Sequence, residues 1–169
     1  MSNRNARPRL HRRLLGSLVL AGSLAACHED SAVAPTNNLT PVLIAVLDTA
    51  INDEYHAEYI YLRVLSDFGN ALPFFNVVVA EQRHSASLAA LFERRALPTP
   101  ANRWNLDNVP RFPSITAACA AAAAAEVDNI TMYDRFLRLE LPVDVRTVLS
   151  NNRRASLDRH LPAFQQCGG

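Results

Sequence analysis

Residues 74–91, FFNVVVAEQRHSASLAAL, are the stretch that decides the fold. Apolar residues recur every three or four positions, which is the spacing of the inward face of a bundle helix. The same face also carries Glu81 and His84, and in full it reads Phe74, Val77, Glu81, His84, Leu88 and Leu91. A buried carboxylate is costly unless it is paired or binds a metal. The stretch therefore predicts a bundle helix with a polar site at its middle.

Other segments repeat this arrangement. The inward positions of an earlier segment are Leu47, Ile51, Glu54, Glu58, Tyr61, Leu65 and Phe68. Glu126 falls in the middle of a third segment, and His160 lies in a fourth. Acids and histidines placed at one depth of a helical bundle indicate a metal site.

Four helices are predicted, and no segment shows a strand pattern, so the fold class is all-α. The predicted helices cover about residues 41–68, 73–95, 114–140 and 142–166. Gly69 suits the end of the first helix, while Pro73 and Ser114 suit the starts of the second and third.

Connection lengths predict the topology. Helices one and two are joined by a few residues, as are three and four, so each pair should form an antiparallel hairpin. Residues 96–113, about 18 in number, span about 50 Å when extended. That distance exceeds the roughly 38 Å length of a helix of about 25 residues. Two hairpins joined by a long crossover loop are the ferritin-like four-helix arrangement.

The predicted hairpins place the polar residues at a common depth. Glu54 and His84 are equally far from the turn at Gly69, and Glu126 and His160 are equally far from position 143. Two tyrosines, Tyr61 and Tyr133, lie seven residues after Glu54 and Glu126 and suggest a weak internal repeat. These tyrosines either donate hydrogen bonds that orient the carboxylates or simply fill the core.

Three segments carry a resemblance to a known group. Glu54-Tyr55-His56-Ala57-Glu58-Tyr59-Ile60-Tyr61 and Glu81-Gln82-Arg83-His84 resemble motifs of di-iron carboxylate proteins of the ferritin and rubrerythrin type. D-E-Y-H-A-E, A-E-Q-R-H and R-H-L-P-A-F resemble an uncharacterised ferritin-like family, domain of unknown function 2202, over roughly residues 42–167.

The residues and this resemblance together imply a metal centre. Its predicted ligands are Glu54, Glu81, His84, Glu126 and His160, with Glu58 as a further candidate. Carboxylate and imidazole donors suit iron or manganese, with zinc and copper as alternatives. The resemblance implies a ferroxidase or a peroxide-scavenging oxidoreductase, with a metal ion or a small oxidant as its ligand.

One position departs from the family pattern. A complete site would have Glu three residues before His160, where this chain has Leu157, while Asn152 and Ser156 occupy the inward face. Asp158 should point off that face. The departure leaves open a site for two metals, for one metal, or a weak site. It also leaves two other functions open: a metal-binding module without turnover, and a structural bundle whose acids pair with Arg83, Arg153 or Arg154.

The N-terminus is predicted to be an export signal. An apolar run over residues 14–26 follows a basic region that contains Arg4, Arg7, Arg9, Arg12 and Arg13. Leu24-Ala25-Ala26-Cys27 resembles the lipobox of bacterial lipoproteins, which implies cleavage before Cys27 and a lipid on its thiol. The alternative is an ordinary secretory signal. The predicted organisation is a signal peptide at 1–26, a flexible tether at 27–40 and a ferritin-like domain at 41–167.

Removal of the predicted signal peptide changes the net charge of the chain. Loss of residues 1–26 removes five arginines and no acids, and takes the formal charge from +1 to −4. Nothing then indicates a nucleic-acid partner.

The lipid would place the protein in the bacterial cell envelope, on the periplasmic face of the outer or inner membrane. Outside the cytoplasm, Cys119 and Cys167 favour a disulfide over two free thiols. Whether the bundle forms a homodimer is left open.

Overall fold

The computed structural model describes residues 39–167. The predicted signal peptide, Cys27 and all but the last two residues of the predicted tether lie outside the described residues. The helices are α1 (Pro41–Phe68), α2 (Phe74–Glu93), α3 (Ile115–Phe136), α4 (Val143–Ala155), a π-helical turn (Ser156–His160) and α5 (Leu161–Cys167). Residues 39–167 contain no strand, which confirms the all-α prediction.

Local chemistry explains where the helices begin. The Thr40 side chain accepts a hydrogen bond from the Leu43 N–H and caps α1, with Pro41 in the first turn. Ser114 caps α3 in the same way by accepting from the Ala117 N–H. Both caps satisfy amide groups that have no partner within the helix. At the other end of α1, Gly69 has a φ of 77°, and its N–H bonds to the Leu65 carbonyl.

The third helix is shorter than predicted. It was expected to reach Glu140, but α3 ends at Phe136. The Arg146 guanidinium donates hydrogen bonds to the carbonyls of Leu137 and Leu139, each at 2.8 Å. A side chain from α4 thus satisfies carbonyls that further helical turns would otherwise occupy, so the helix can stop there.

The fourth predicted helix is interrupted. It continues from α4 into α5 through the π-helical turn Ser156–His160, in which the N–H of Leu161 bonds to the Ser156 carbonyl. A π turn adds a residue to the helical repeat and shifts which residues share a face. Within the turn, Ser156 and His160 are buried, at 1% and 4% exposed, while Leu157 is 39% exposed.

Two apolar clusters form the core. The first, which we call the upper cluster, includes Leu47, Ile51, Leu88, Leu91, Tyr133 and Leu149. The second, the lower cluster, includes Tyr61, Val64, Phe74, Val77, Ala118 and Phe164. α1 packs mainly on α2, and α3 packs on α4, the π turn and α5; α1 also contacts α3, and α2 contacts α4. Each long helix contributes to both clusters, so the residues between them lie in a central layer.

The two cysteines of the domain lie at disulfide distance. Cys119 is buried near the start of α3, and Cys167 is the last residue of α5. Their Cα atoms are 5.8 Å apart, within the range that a disulfide requires. As for membranes, none of the described helices combines the length and apolar character that crossing a bilayer requires.

Candidate metal centre

Five of the six predicted ligands come together in the central layer. They form two groups, Glu54 with Glu81 and His84, and Glu81 with Glu126 and His160. In each group, one potential ligand atom from every residue lies within 4.8 Å of the others. Glu81 belongs to both groups. The helices therefore deliver these side chains from α1, α2, α3 and the π turn to one place.

The distances give Glu81 a bridging position. Nδ1 of His84 lies 3.0 Å from one Glu81 oxygen and 3.1 Å from Glu54. Nδ1 of His160 lies 3.1 Å from the other Glu81 oxygen and 3.5 Å from Glu126. The two imidazole rings are 5.4 Å apart between centroids and close to parallel. Each oxygen of one carboxylate thus faces a different imidazole.

The side chains of the site are almost completely buried. Glu54, Glu81 and Glu126 are exposed by 1%, 2% and 3%. His160 is similarly buried, whereas 11% of the His84 side chain is exposed. Removing three carboxylates from water to this extent is costly, so each requires a cation, a proton or a metal nearby.

Two buried tyrosines hold the carboxylates in place. The Tyr61 hydroxyl donates a hydrogen bond to Glu126 at 2.8 Å, and the Tyr133 hydroxyl donates to Glu54. Asn152 donates in turn to the Tyr133 oxygen at 3.3 Å. The tyrosines therefore make the carboxylate contacts that the sequence predicts, and they also fill the core.

The electrostatics of the site favour charged imidazoles when no metal is bound. Burial lowers the pKa of His84, but the carboxylates of Glu54 and Glu81 outweigh it and raise the pKa to about 10. For His160, burial is likewise outweighed by Glu126 and Glu81, and the pKa is raised to about 9. Burial, together with the charge of Glu81, raises the pKa of Glu54 to about 7. Burial opposes ionisation of Glu81, but the nearby imidazoles of His160 and His84 lower its pKa overall.

The donor set fits a metal ion. Nδ1 of His160 is buried and has no hydrogen-bond partner among the described residues, although two carboxylates lie close by. A cation between these groups would give that nitrogen a partner. Three carboxylates and two imidazoles are donors that iron, manganese and zinc accept. The buried groups can therefore hold a metal ion.

The structure places two sets of candidate residues outside the two ligand groups. Glu58 lies outside both groups and accepts a hydrogen bond from Gln82 at 3.0 Å in an exposed contact, because its position on α1 turns it away from the central layer. The centre therefore has three carboxylates rather than four.

The arginines proposed as partners of the buried acids also lie elsewhere. Arg153 pairs with Asp134, and Arg154 donates to Asn151. Arg83 is exposed on α2. Among the described residues, it is the histidines that pair with the three carboxylates of the centre.

Sequence reasoning missed a polar chain beside the centre. The Asn129 amide donates to Asp53 at 2.7 Å and accepts from the Ser156 hydroxyl at 2.9 Å. Burial raises the pKa of Asp53 to about 6, against the lowering effect of the Asn129 hydrogen bond. Asn129 follows Glu126 by three residues, the same spacing as His84 from Glu81. This three-residue spacing was the feature of the sequence that could have indicated an inward position for Asn129.

The segment between α2 and α3 contacts α1. The rings of His56 and Trp104 stack with centroids 4.0 Å apart, and the Trp104 indole N–H donates to the Asn52 carbonyl at 3.3 Å. His56 is partly buried and belongs to neither ligand group.

Comparisons with known proteins give no match. No protein-family model, curated protein or solved structure matches this chain. The resemblance to ferritin-type proteins and to domain of unknown function 2202 therefore stays a prediction that rests on the residues quoted for it.

Proposed function

We propose that this chain is a ferritin-like metal-binding protein whose central layer holds two metal ions, most suitably iron, and acts as an oxidoreductase on oxygen or peroxide. The observation that supports this most directly is the position of Glu81. Its two oxygens face two imidazoles in two overlapping ligand groups, as a carboxylate shared by two metal ions would.

The order of the two apolar clusters along the helices supports the ferritin-like topology. α1 passes from the upper to the lower cluster, whereas α2 and α3 pass from the lower to the upper. The chain then returns from Leu149 in the upper cluster to Phe164 in the lower. This is the pattern of two antiparallel hairpins joined by a long crossover loop.

The protein's own residues would bind, orient and shield the metal. Glu54, Glu81, His84, Glu126 and His160 are the ligands, and the tyrosine hydrogen bonds fix two of the carboxylates. The apolar clusters shield the layer from water on two sides. Iron, when bound, supplies the redox chemistry that reduction of oxygen or peroxide requires.

A metal-binding module without turnover is the second candidate, and the π turn favours it. Where a complete ferritin-type site has a second carboxylate beside the histidine, this chain turns Ser156 inward, and its hydroxyl is committed to Asn129. Each group therefore has three protein ligands, one of them shared. Such a set supports binding without requiring catalysis.

Metal analysis tests the proposal. The full chain, freed of metal and reloaded with Fe(II) under anaerobic conditions, should retain metal after desalting. His84→Ala should lose most of it. Gln82→Ala, on the exposed face of the same helix, is the matched control and should bind like the wild type. Failure of the wild type to retain iron, manganese, zinc or copper would contradict metal binding and favour a structural bundle.

Oxidant consumption then separates the two metal-binding candidates. The iron-loaded chain is mixed with oxygen or with hydrogen peroxide, and uptake and the absorbance spectrum are followed. Repeated consumption that His84→Ala lacks supports the oxidoreductase. Stable metal binding without consumption of either oxidant favours the module without turnover.

The proposed location rests on the N-terminal sequence. We propose that a lipid on Cys27 anchors the domain to the membrane in the bacterial cell envelope. Expression of the full chain with a labelled fatty acid should give a labelled protein in the membrane fraction. Cys27→Ser should abolish the label, whereas an ordinary secretory protein would show no label with either cysteine or serine.

A further inference from the structure

A cavity of about 190 Å³ leads from the surface towards the centre between α1 and α3. Its outer wall includes Ala125 and Asp128, which are exposed, and Asp53, which is partly exposed. Its inner wall includes Glu81 and Glu126, which are buried. The cavity thus connects solvent with two of the candidate ligands.

The inner end reaches one ligand group in particular. Glu81 and Glu126 line the cavity, and both lie within 3.5 Å of Nδ1 of His160, the buried nitrogen without a hydrogen-bond partner. Glu81 belongs to both groups and Glu126 only to the His160 group, whereas Glu54, His84 and His160 do not line the cavity. A ligand that entered here would meet the His160 group first.

The charge of the lining favours a cation. Its titratable side chains are four acids, one histidine (His56) and one tyrosine (Tyr61), and no arginine lines it among the described residues. A low-dielectric passage lined by one sign of charge concentrates ions of the opposite sign. Arg103 lies in a neighbouring depression that shares Asp53 and His56 with the cavity, so the charge of this arginine lies to one side of the route.

Small residues keep the route open. Ala57 on α1 and Ala125 on α3 both line the cavity. A cavity of about 150 Å³ accommodates a benzene molecule, so this one has room for a divalent cation with part of its water shell. A leucine at position 125 would occupy much of that space. Ala125 is the last residue of a run of six alanines in α3, residues 120–125.

We propose that this cavity is the passage through which divalent metal cations reach the centre, loading the His160 group first. The proposal rests on the proposed metal-binding function. It adds a direction of approach, an order of loading and two residues, Ala125 and Asp128, that control the rate of loading without being ligands.

Stopped-flow absorbance with Co(II) and the metal-free full chain tests the route. Ala125→Leu should slow the appearance of the Co(II) ligand-field bands by about tenfold or more, equivalent to about 1.4 kcal/mol on the barrier. Its equilibrium affinity should stay close to that of the wild type. Ala124→Leu, the exposed neighbour on the same helix that does not line the cavity, is the matched control and should load at the wild-type rate.

Asp128→Asn provides a second, smaller change at an exposed position. It should slow loading at low ionic strength by about threefold to tenfold and reduce the salt dependence of the rate, because it removes one charge that attracts the cation. This variant decides the question if Ala125→Leu also weakens equilibrium binding.

The outcomes separate the route from the proposed function. Co(II) that binds the wild type and both variants at equal rates would overturn the route and leave metal binding intact. Co(II) that does not bind the wild type would overturn both. A single Co(II) that occupies the Glu54 group while the His160 group is empty would overturn the order of loading, and His160→Ala identifies which group gives the first set of bands.

Discussion

Glu81 is the side chain on which both ligand groups depend. Its neighbours in the two groups are different residues, but each histidine lies within 3.1 Å of one Glu81 oxygen. When no metal is bound, the same carboxylate is the partner of two imidazoles that the site holds in the charged form. The effects of changing this residue should therefore extend to both metal binding and stability.

Glu81→Gln should abolish binding at both metal positions and destabilise the metal-free protein. The amide keeps the shape of the side chain but removes the charge that offsets two buried imidazoles, and breaking a buried ion pair costs about 3–5 kcal/mol. Elemental analysis and denaturant unfolding measure the two effects. Glu93→Gln, at the exposed end of α2, is the control. Retention of one metal by Glu81→Gln would contradict the bridging role.

Tyr133→Phe should weaken metal binding by about 10–100-fold, because hydrogen-bond partners of ligands orient them and tune their basicity. The Tyr133 hydroxyl donates to Glu54, and removing it leaves that carboxylate free to turn. Competition with a chelator of known affinity measures the change. Tyr59→Phe, at a tyrosine of α1 that hydrogen-bonds none of the candidate ligands among the described residues, is the control and should have no effect. Equal affinities in both variants would show that Tyr133 only fills the core.

The pKa values of the two histidines predict how the stability of the metal-free protein depends on pH. Both are raised above the ordinary value of 6.5, to about 10 for His84 and about 9 for His160. The folded state therefore holds protons that the unfolded chain releases. The stabilisation is fully present below about pH 6.5 and is lost as the pH rises through 9 and 10.

Urea unfolding of the metal-free chain across this pH range measures the effect. The free energy of unfolding should fall towards high pH in the wild type. The slope should be flatter in the double variant His84→Gln, His160→Gln, which lacks both titrating groups. A free energy that increases over this range would mean that the imidazoles are not the charged partners of the buried acids.

At the level of helices, periodicity predicted the positions of all four long segments but not their irregularities. The start of α1 at Pro41 and its end at Phe68 agree with the expectation from caps and glycine. The π turn was not predictable from spacing, because the inward pattern of Asn152, Ser156 and His160 also fits an ordinary helix. The early end of α3 depends on Arg146, a contact between segments that local sequence does not encode.

The cysteine pair ties the start of α3 to the end of α5. Cys119 and Cys167 are separated by 48 positions, and closing a loop of that length stabilises the fold by about 4 kcal/mol in the chain-entropy account. Cys119→Ser and Cys167→Ser should each lower the free energy of unfolding by about that amount. The double variant should match the single ones, since one bond is lost in every case.

Intact mass measured with and without reduction establishes whether the bond forms. A mass increase of about two hydrogens on reduction is expected. Two single variants with unequal and additive losses of stability would indicate two independent buried thiols rather than a bridge.

At the scale of the whole molecule, metal binding should release protons and stabilise the fold. The two imidazoles are protonated in the metal-free protein and must lose those protons to act as ligands, so affinity should increase with pH. A metal at a concentration about 100 times its Kd adds about 2.7 kcal/mol to the free energy of unfolding. Calorimetry in two buffers that differ in ionisation enthalpy counts the protons released. Binding without proton release would contradict protonated imidazoles.

The depth of the centre could be predicted, but its immediate surroundings could not. Their equal distances from the predicted turns were sufficient to predict a common depth for four ligand residues, which the structure brings together: Glu54, His84, Glu126 and His160. Glu58 lies one helical turn after Glu54 on α1, but it is not part of the ligand groups. Its side chain makes an exposed contact with Gln82 instead. The pairing of Asp53 with Asn129 depends on how α1 and α3 face each other, which the pattern along either helix does not specify.

The division of the core into two apolar clusters has a consequence for local unfolding of the domain. The described domain contains two hydrophobic clusters, and the charged residues of the central layer lie between them. The three longest helices contribute to both clusters. Native proteins open in cooperative units that follow such divisions. In the metal-free protein, amide hydrogen exchange should therefore show two groups of backbone amides with different protection, one for each cluster. When metal binds residues from both sides of the layer, the two groups should exchange as one cooperative unit.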